Sequence, residues 1–197
     1  MSARDDILSA IRNQRVRSAP RPPQYVPPAP SSDLVTQFAE CARAIHAEVR
    51  VLDSENDVAA AVADLLRAKN MAASIHAVSG MALPDLGGIE ISSARPGPDD
   101  AAVTRAPFAT AETGTLAYPA RDGAPASWHF RPGFEIAILR SSDILPHMEN
   151  VIARVKANRL PHTINFISGP SRTGDIEQTL ELGAHGPKAL AILIIRE

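Results

Sequence analysis

Residues 189–195 read Ala-Leu-Ala-Ile-Leu-Ile-Ile, seven apolar residues with no polar interruption. The run is too short to cross a bilayer. As a strand it lacks alternation, so both of its faces are covered. A strand of that kind belongs inside a sheet with layers on either side. The rest of the chain supplies the partners. Short strands are predicted at 48–52, 71–78, 89–91, 101–106, 134–139 and 164–167.

Helical stripes alternate with them. Leu34, Val35, Phe38, Cys41, Ala42 and Ile45 form one, opened at Asp33. Val58, Val62, Leu65 and Leu66 form a second, behind a Ser54/Asp57 capping box. Ile144, Leu145, Met148, Val151, Ile152 and Val155 form a third, with Asp143 as its expected N-cap and Lys156 and Arg159 near its end. Ile176 and Leu180 suggest a last short helix, stopped at Gly183. The predicted class is α/β, a Rossmann-like and mainly parallel sheet with flanking helices.

Residues 1–32 stand apart from the expected domain at 33–197. Ile7, Leu8 and Ile11 recur at helical spacing, with Ser2 and Asp5 as a capping box. Pro20, Pro22, Pro23, Pro27, Pro28 and Pro30 follow, a semi-rigid extended linker. The helix either packs on its own domain or docks on a partner subunit.

Composition narrows the function. A formal net charge of −2 gives no global electrostatic case for nucleic acid or membrane surfaces. One cysteine excludes an internal disulfide and a cysteine-only metal or iron–sulfur site, and no metal is expected here. The charged N-terminus does not read as a signal peptide, and a cytoplasmic location is expected.

Two stretches carry candidate chemistry. In 163–177, an apolar run ends in Ser168-Gly169-Pro170-Ser171, followed by Arg172-Thr173-Gly174-Asp175 and a helical pattern. Strand, tight loop and helix N-terminus in that order suit an anion. Arg172 would pair with a carboxylate or phosphate, while Ser168, Gly169, Ser171, Thr173 and Asp175 would complete the binding loop. The alternative is a structural turn with Arg172 in a salt bridge. The second stretch is Glu112-Thr113-Gly114-Thr115, entering a strand. Glu112 could face the ligand as orienting group or base while Gly114 lets it approach. The alternative is a bulge with a solvated glutamate. His76, alone in a strand, and Cys41, in an apolar stripe, read as structural. Trp128, His129 and Phe130 lie in a polar loop, as a lid, a partner contact or a pin to the body.

The segment at 168–194, SGPSRTGDIEQTLELGAHGPKALAILI, resembles the C-terminal signature of the LUD-domain family, in its lactate utilization protein C branch. Glu112-Thr113-Gly114-Thr115 is similar to that family's other hallmark. The sequence departs from the pattern at Gly174, at Gly133-Phe134-Glu135 and around Trp128. The resemblance implies a fold like that of sugar-phosphate isomerases and CoA-transferases. It implies a role in oxidising L-lactate to pyruvate beside partner proteins that carry iron–sulfur clusters, with a small anionic ligand and no cofactor in this chain. A stand-alone isomerase- or CoA-transferase-like enzyme and a non-catalytic assembly scaffold are the alternatives.

Overall fold

The apolar run at the C-terminus is the interior of the molecule. In a computed structural model, residues 3–13, 22–23, 25–125, 127–157, 161–174, 180–182 and 186–196 are described. In chain order the elements are α1 (Ala3–Asn13), α2 (Leu34–Ala44), β1 (Glu48–Leu52), α3 (Val58–Ala68), β2 (Ser74–Ala77), β3 (Glu90–Ser92), β4 (Ala101–Arg105), β5 (Phe108–Thr110), β6 (Thr115–Pro119), α4 (Ser127–Phe130), β7 (Phe134–Arg140), β8 (Ile144–Leu145), α5 (Met148–Lys156), β9 (Ile164–Ile167), β10 (Arg172–Gly174), β11 (Leu180–Leu182) and β12 (Ala189–Ile195).

Six strands form an all-parallel sheet in the order β1-β12-β7-β4-β2-β3. The expected mainly parallel α/β architecture is therefore present. β12 lies between β1 and β7 with Ile192 opposite Val49 and Ala137. Its side chains alternate between two cores. Leu190, Ile192 and Ile194 join Phe38 and Ala42 of α2 on one face. Ala191, Leu193 and Ile195 join Val62, Leu65 and Leu66 of α3 on the other. That double coverage is why the strand carries no polar residue.

A second sheet, in the order β8-β5-β6-β9, was not visible in the sequence. β6 runs antiparallel to both β5 and β9. Ala109, Leu116, Tyr118 and Ile167 turn one of its faces into the α2 core. Ala117 points the other way, onto Val151 and Val155 of α5. The layers are thus α3, the parallel sheet, then α2 beside the small sheet, and α5 outermost.

Three local expectations need correction. The third apolar stripe does not begin a helix at Asp143. Residues 141–143 make a 3-10 turn, Ile144 and Leu145 add a strand to the small sheet, and α5 starts at Met148 with His147 as N-cap. A helix period cannot distinguish a helix from a two-residue strand placed just before one. Arg172–Gly174 is a strand rather than a helix N-terminus, and it pairs antiparallel with Leu180–Leu182. Ile176, Arg159, Asp175 and Gly183 lie outside the described residues. Finally, the strand at 164–167, expected in the mainly parallel sheet, is β9, an edge strand of the second, mixed sheet, and the loop from Ser168 leaves it there.

The helix starts follow their sequence signals where those are strong. Asp33 caps α2 by accepting from Thr36 N at 3.0 Å. Asp57 accepts from Ser54 N at 3.0 Å in the turn leading into α3. Among the described residues, no helix is long and apolar enough to cross a membrane.

Candidate functional site

Among the described residues, the two predicted stretches meet at one hydrogen bond. Thr115 opens β6 and Ser168 follows β9, and their hydroxyls lie 2.7 Å apart. Their glycines serve one purpose. Gly114 has φ +63°, and a Cβ there would stand 2.3 Å from Ala42 N. Gly169 has φ +77°, and a Cβ there would stand 2.3 Å from Ile45 O. Both glycines let the end of α2 press onto the small sheet. At Gly114 the close neighbour is a helix backbone, not a ligand.

Glu112 points elsewhere. Its Oε2 lies 2.7 Å from His147 Nδ1, and its Oε1 accepts from Met148 N at 3.0 Å. It therefore closes the N-terminus of α5 with its negative charge. Burial pushes the Glu112 carboxyl upward, but the hydrogen bonds from His147 and Met148 outweigh it and hold the group below the usual carboxylate range. The hydrogen bond to Glu112 lifts His147 above its ordinary value, against a smaller opposing effect of burial. The other ring nitrogen, Nε2, lies 2.9 Å from the carbonyl of Pro28. The proline-rich linker is thereby tied to α5. Thr113 is exposed, and its carbonyl lies 3.5 Å from the Thr115 hydroxyl. Cys41 directs its S–H at the Glu112 carbonyl, 3.6 Å away.

The Ser168–Arg172 segment walls an open groove of about 540 Å³. The end of α2 (Ala44 to His46), Phe166 and Ile167 of β9, His129, Phe130, Gly186 and Pro187 complete it. Ser171 N donates to Pro187 O at 2.9 Å, which fixes the loop to the chain leading into β12. Arg172 is exposed and has no ion-pair partner among the described residues. Thr173 contributes backbone to the strand pair. Glu112 is not part of this groove.

Sequence reasoning missed a buried polar cluster behind it. Glu135 is fully buried in β7. Its Oε1 accepts from the Thr104 hydroxyl at 2.8 Å and lies 2.8 Å from His129 Nδ1. The Tyr118 hydroxyl is 3.0 Å from that of Thr104, and the Tyr118 and His129 rings pack with centroids 3.8 Å apart. Burial raises the Tyr118 phenol well above its ordinary value, and the Glu135 charge adds to this, so Tyr118 remains a donor. Trp128 and His129 are each 6% exposed, so α4 pins its loop to the body while Phe130 stays exposed. One sequence signal pointed to the cluster: Glu135 is the single charge between Phe134 and Leu139. His76, by contrast, is held by Ala94 O at 2.8 Å and lies 3.4 Å from Asp100, as a structural histidine would be. Among the described residues, no group of three or more His, Cys, Asp or Glu side chains is placed to hold a metal ion.

Comparison with known proteins places this geometry. Residues 99–195 match the LUD domain family, bearing out the resemblance read from the C-terminal signature. Lactate utilization protein C of Halalkalibacterium halodurans is 35% identical over 103 residues, 50% of this chain and 45% of that protein. Lactate utilization protein C of Geobacillus kaustophilus is 36% identical over 92 residues, 44% of this chain and 38% of that protein. The matched region thus spans less than half the length of these relatives. A crystal structure of a DUF162 family protein from Deinococcus radiodurans superposes with a TM-score of 0.63 at 20% identity, covering 85% of this chain and 99% of that one. That likeness concerns the fold.

Proposed function

We propose, starting from the LUD domain that residues 99–195 carry, that this protein serves lactate utilization. In this reading it is the cluster-free subunit of a system that oxidises L-lactate to pyruvate. Partner proteins with iron–sulfur clusters take the electrons. The chain's one cysteine, directed at the Glu112 carbonyl, is no ligand set for such a cluster. The subunit's own task is to hold a small anion in the groove. Arg172 engages the carboxylate, and Ser168 and Ser171 offer hydroxyls beside it.

The observation that carries the reading is where the matched segment falls. Apart from Ala44, Ile45 and His46, every residue of the groove lies within 99–195, Arg172 included. The Arg172 guanidinium is exposed in the wall of the groove, where an entering anion can reach it. The test is complementation of a bacterial host lacking its own copy. Wild type should restore growth on L-lactate. Arg172→Ala should not, with an unchanged thermal unfolding midpoint. Full rescue by the variant removes Arg172 from the site, and no rescue by wild type removes the lactate reading itself.

A further inference from the structure

The molecule has a second, inner cavity. It holds about 120 Å³, and its wall includes Thr104, Arg105, Tyr118, Trp128, His129 and Asn165. His129 also lines the outer groove, so the imidazole stands between the two spaces. A fully buried carboxylate behind it is expensive: removing a carboxylate from water costs several kcal/mol even after relaxation. A leucine at position 135 would fit an apolar strand better, and nothing in the parallel sheet needs the charge. Buried ionisable groups retained at such a penalty concentrate at reactive sites.

The hydrogen bonds define what the pair does. Thr104 has one hydroxyl proton and gives it to Glu135 Oε1. The Tyr118 hydroxyl can therefore donate to Thr104 at 3.0 Å. Glu135 as a carboxylate has nothing to donate, so the proton between it and His129 sits on Nδ1. That places the lone pair of the neutral ring on Nε2, which has no partner among the described residues. The Tyr118 ring, tilted by 37° with its centroid 3.8 Å away, restricts the imidazole. Arg105 and Arg121 supply positive charge to the same wall. Arg105 is held through Nη2 by Glu55 and Ala82 O, while its Nε and Nη1 have no partner among the described residues.

We propose that this inner cavity is the reactive site, and that His129 is its proton acceptor for a small hydroxy-carboxylate, with Glu135 as the positioning residue. The proposal rests on the lactate reading for the ligand class. The ligand's carboxylate lies toward Arg105 and Arg121, and its hydroxyl donates to His129 Nε2. In the proton step, the O–H bond breaks and an Nε2–H bond forms. The oxygen keeps the electron pair, no electron leaves the ligand, and Glu135 balances the imidazolium. Arg172 engages the carboxylate first, in the outer groove on the other side of His129, and Arg105 and Arg121 receive it at the proton step.

Trp128 is the only tryptophan and lines the cavity, so its fluorescence reports occupancy. The purified full chain is titrated with L-lactate and with propionate, which is the same carboxylate without the hydroxyl. One hydrogen bond predicts a preference for L-lactate of about tenfold in wild type. His129→Gln should reduce it to less than about threefold while propionate affinity stays. Nitrogen NMR of 15N-histidine protein supplies the second readout and needs no catalytic variant. His129 should show the Nδ1–H tautomer, its Nε2 signal should move with L-lactate and not with propionate, and Glu135→Gln should invert the tautomer. Equal binding of the two acids, discrimination retained in His129→Gln, or an Nε2–H tautomer in wild type each overturns the proposal. Loss of L-lactate growth in Arg172→Ala alongside any of these would leave the lactate reading standing without the inner site.

Discussion

At the scale of single residues, Gly114 is held by both its backbone and its neighbours. It combines φ +63° with a virtual Cβ 2.3 Å from Ala42 N and 2.6 Å from Cys41 C. Both neighbours are helix backbone and cannot rotate away. Gly114→Ala therefore has to strain the turn and lift α2 from the small sheet, and should destabilise the fold by about 2–5 kcal/mol in urea titration. Gly123 has a similar φ, +77°, but nothing within 4 Å. Gly123→Ala should show only the backbone penalty, about 1–2 kcal/mol. Equal losses at the two sites would mean that the close approach of α2 contributes nothing. The sequence showed a special glycine inside Glu112-Thr113-Gly114-Thr115. It did not show the neighbour, because Ala42 is distant in the chain.

At the scale of elements, the Glu112–His147–Pro28 chain joins β6's entry turn, α5 and the linker. Only a doubly protonated ring donates to both Glu112 and the Pro28 carbonyl. His147 is raised above its reference value of 6.5, so its contribution is full below that pH and is lost as pH rises through the folded value. Glu112 is lowered below its reference value of 4.5, so its contribution is full above that pH and is lost as pH falls through the folded value. The latch is thus complete between about pH 4.5 and 6.5. Glu149, two residues further along the chain, adds negative charge that also favours the imidazolium. Proton NMR should find His147 titrating above 6.5 in wild type and lower in Glu112→Gln. It should also fall when residues 1–30 are removed. A titration unmoved by either change would mean that neither Glu112 nor the linker holds the ring.

Legibility divides along the same scales. β12 was readable because its apolar run is unbroken, and α2 and α3 because each is long enough to show a period, with Asp33, Ser54 and Asp57 marking two starts. β5 and β8 were not, since three and two residues show no period at all. Without them the second, mixed sheet disappears, and β9 with its loop is assigned to the wrong sheet. Leu180 was read as helical, although the paired strand Arg172–Gly174 determines its conformation. At the site, the groove residues 168–172 were legible as a loop. The Glu135 cluster was not. Its partners Thr104, Tyr118 and His129 lie 31, 17 and 6 residues away, and only the tertiary fold converts an odd charge in a strand into a paired one.

For the whole molecule, the question is whether two sheets make one cooperative unit. A single apolar cluster contains Ala137, Leu139, Ile192 and Ile194 from the parallel sheet, Ala109, Leu116, Tyr118 and Ile167 from the small sheet, and Phe38 and Ala42 from α2. Neither sheet can lose its partner without exposing half of that cluster to water. Exposing a leucine or isoleucine forfeits about 1.5–3 kcal/mol each, so partial unfolding has no stable stopping point. Leu116 is fully buried in the small sheet, yet its side chain fills the shared layer. Leu116→Ala should lower global stability by about 2–5 kcal/mol. Trp128 fluorescence reads the cavity loop near the small sheet, and far-ultraviolet circular dichroism reads the helices. Both should lose the same midpoint in the variant and stay coincident with each other. Separated midpoints would show that the small sheet melts by itself. In that case the small-sheet part of each wall opens independently of the parallel sheet, and His129 keeps Glu135 of β7 while losing the Tyr118 ring.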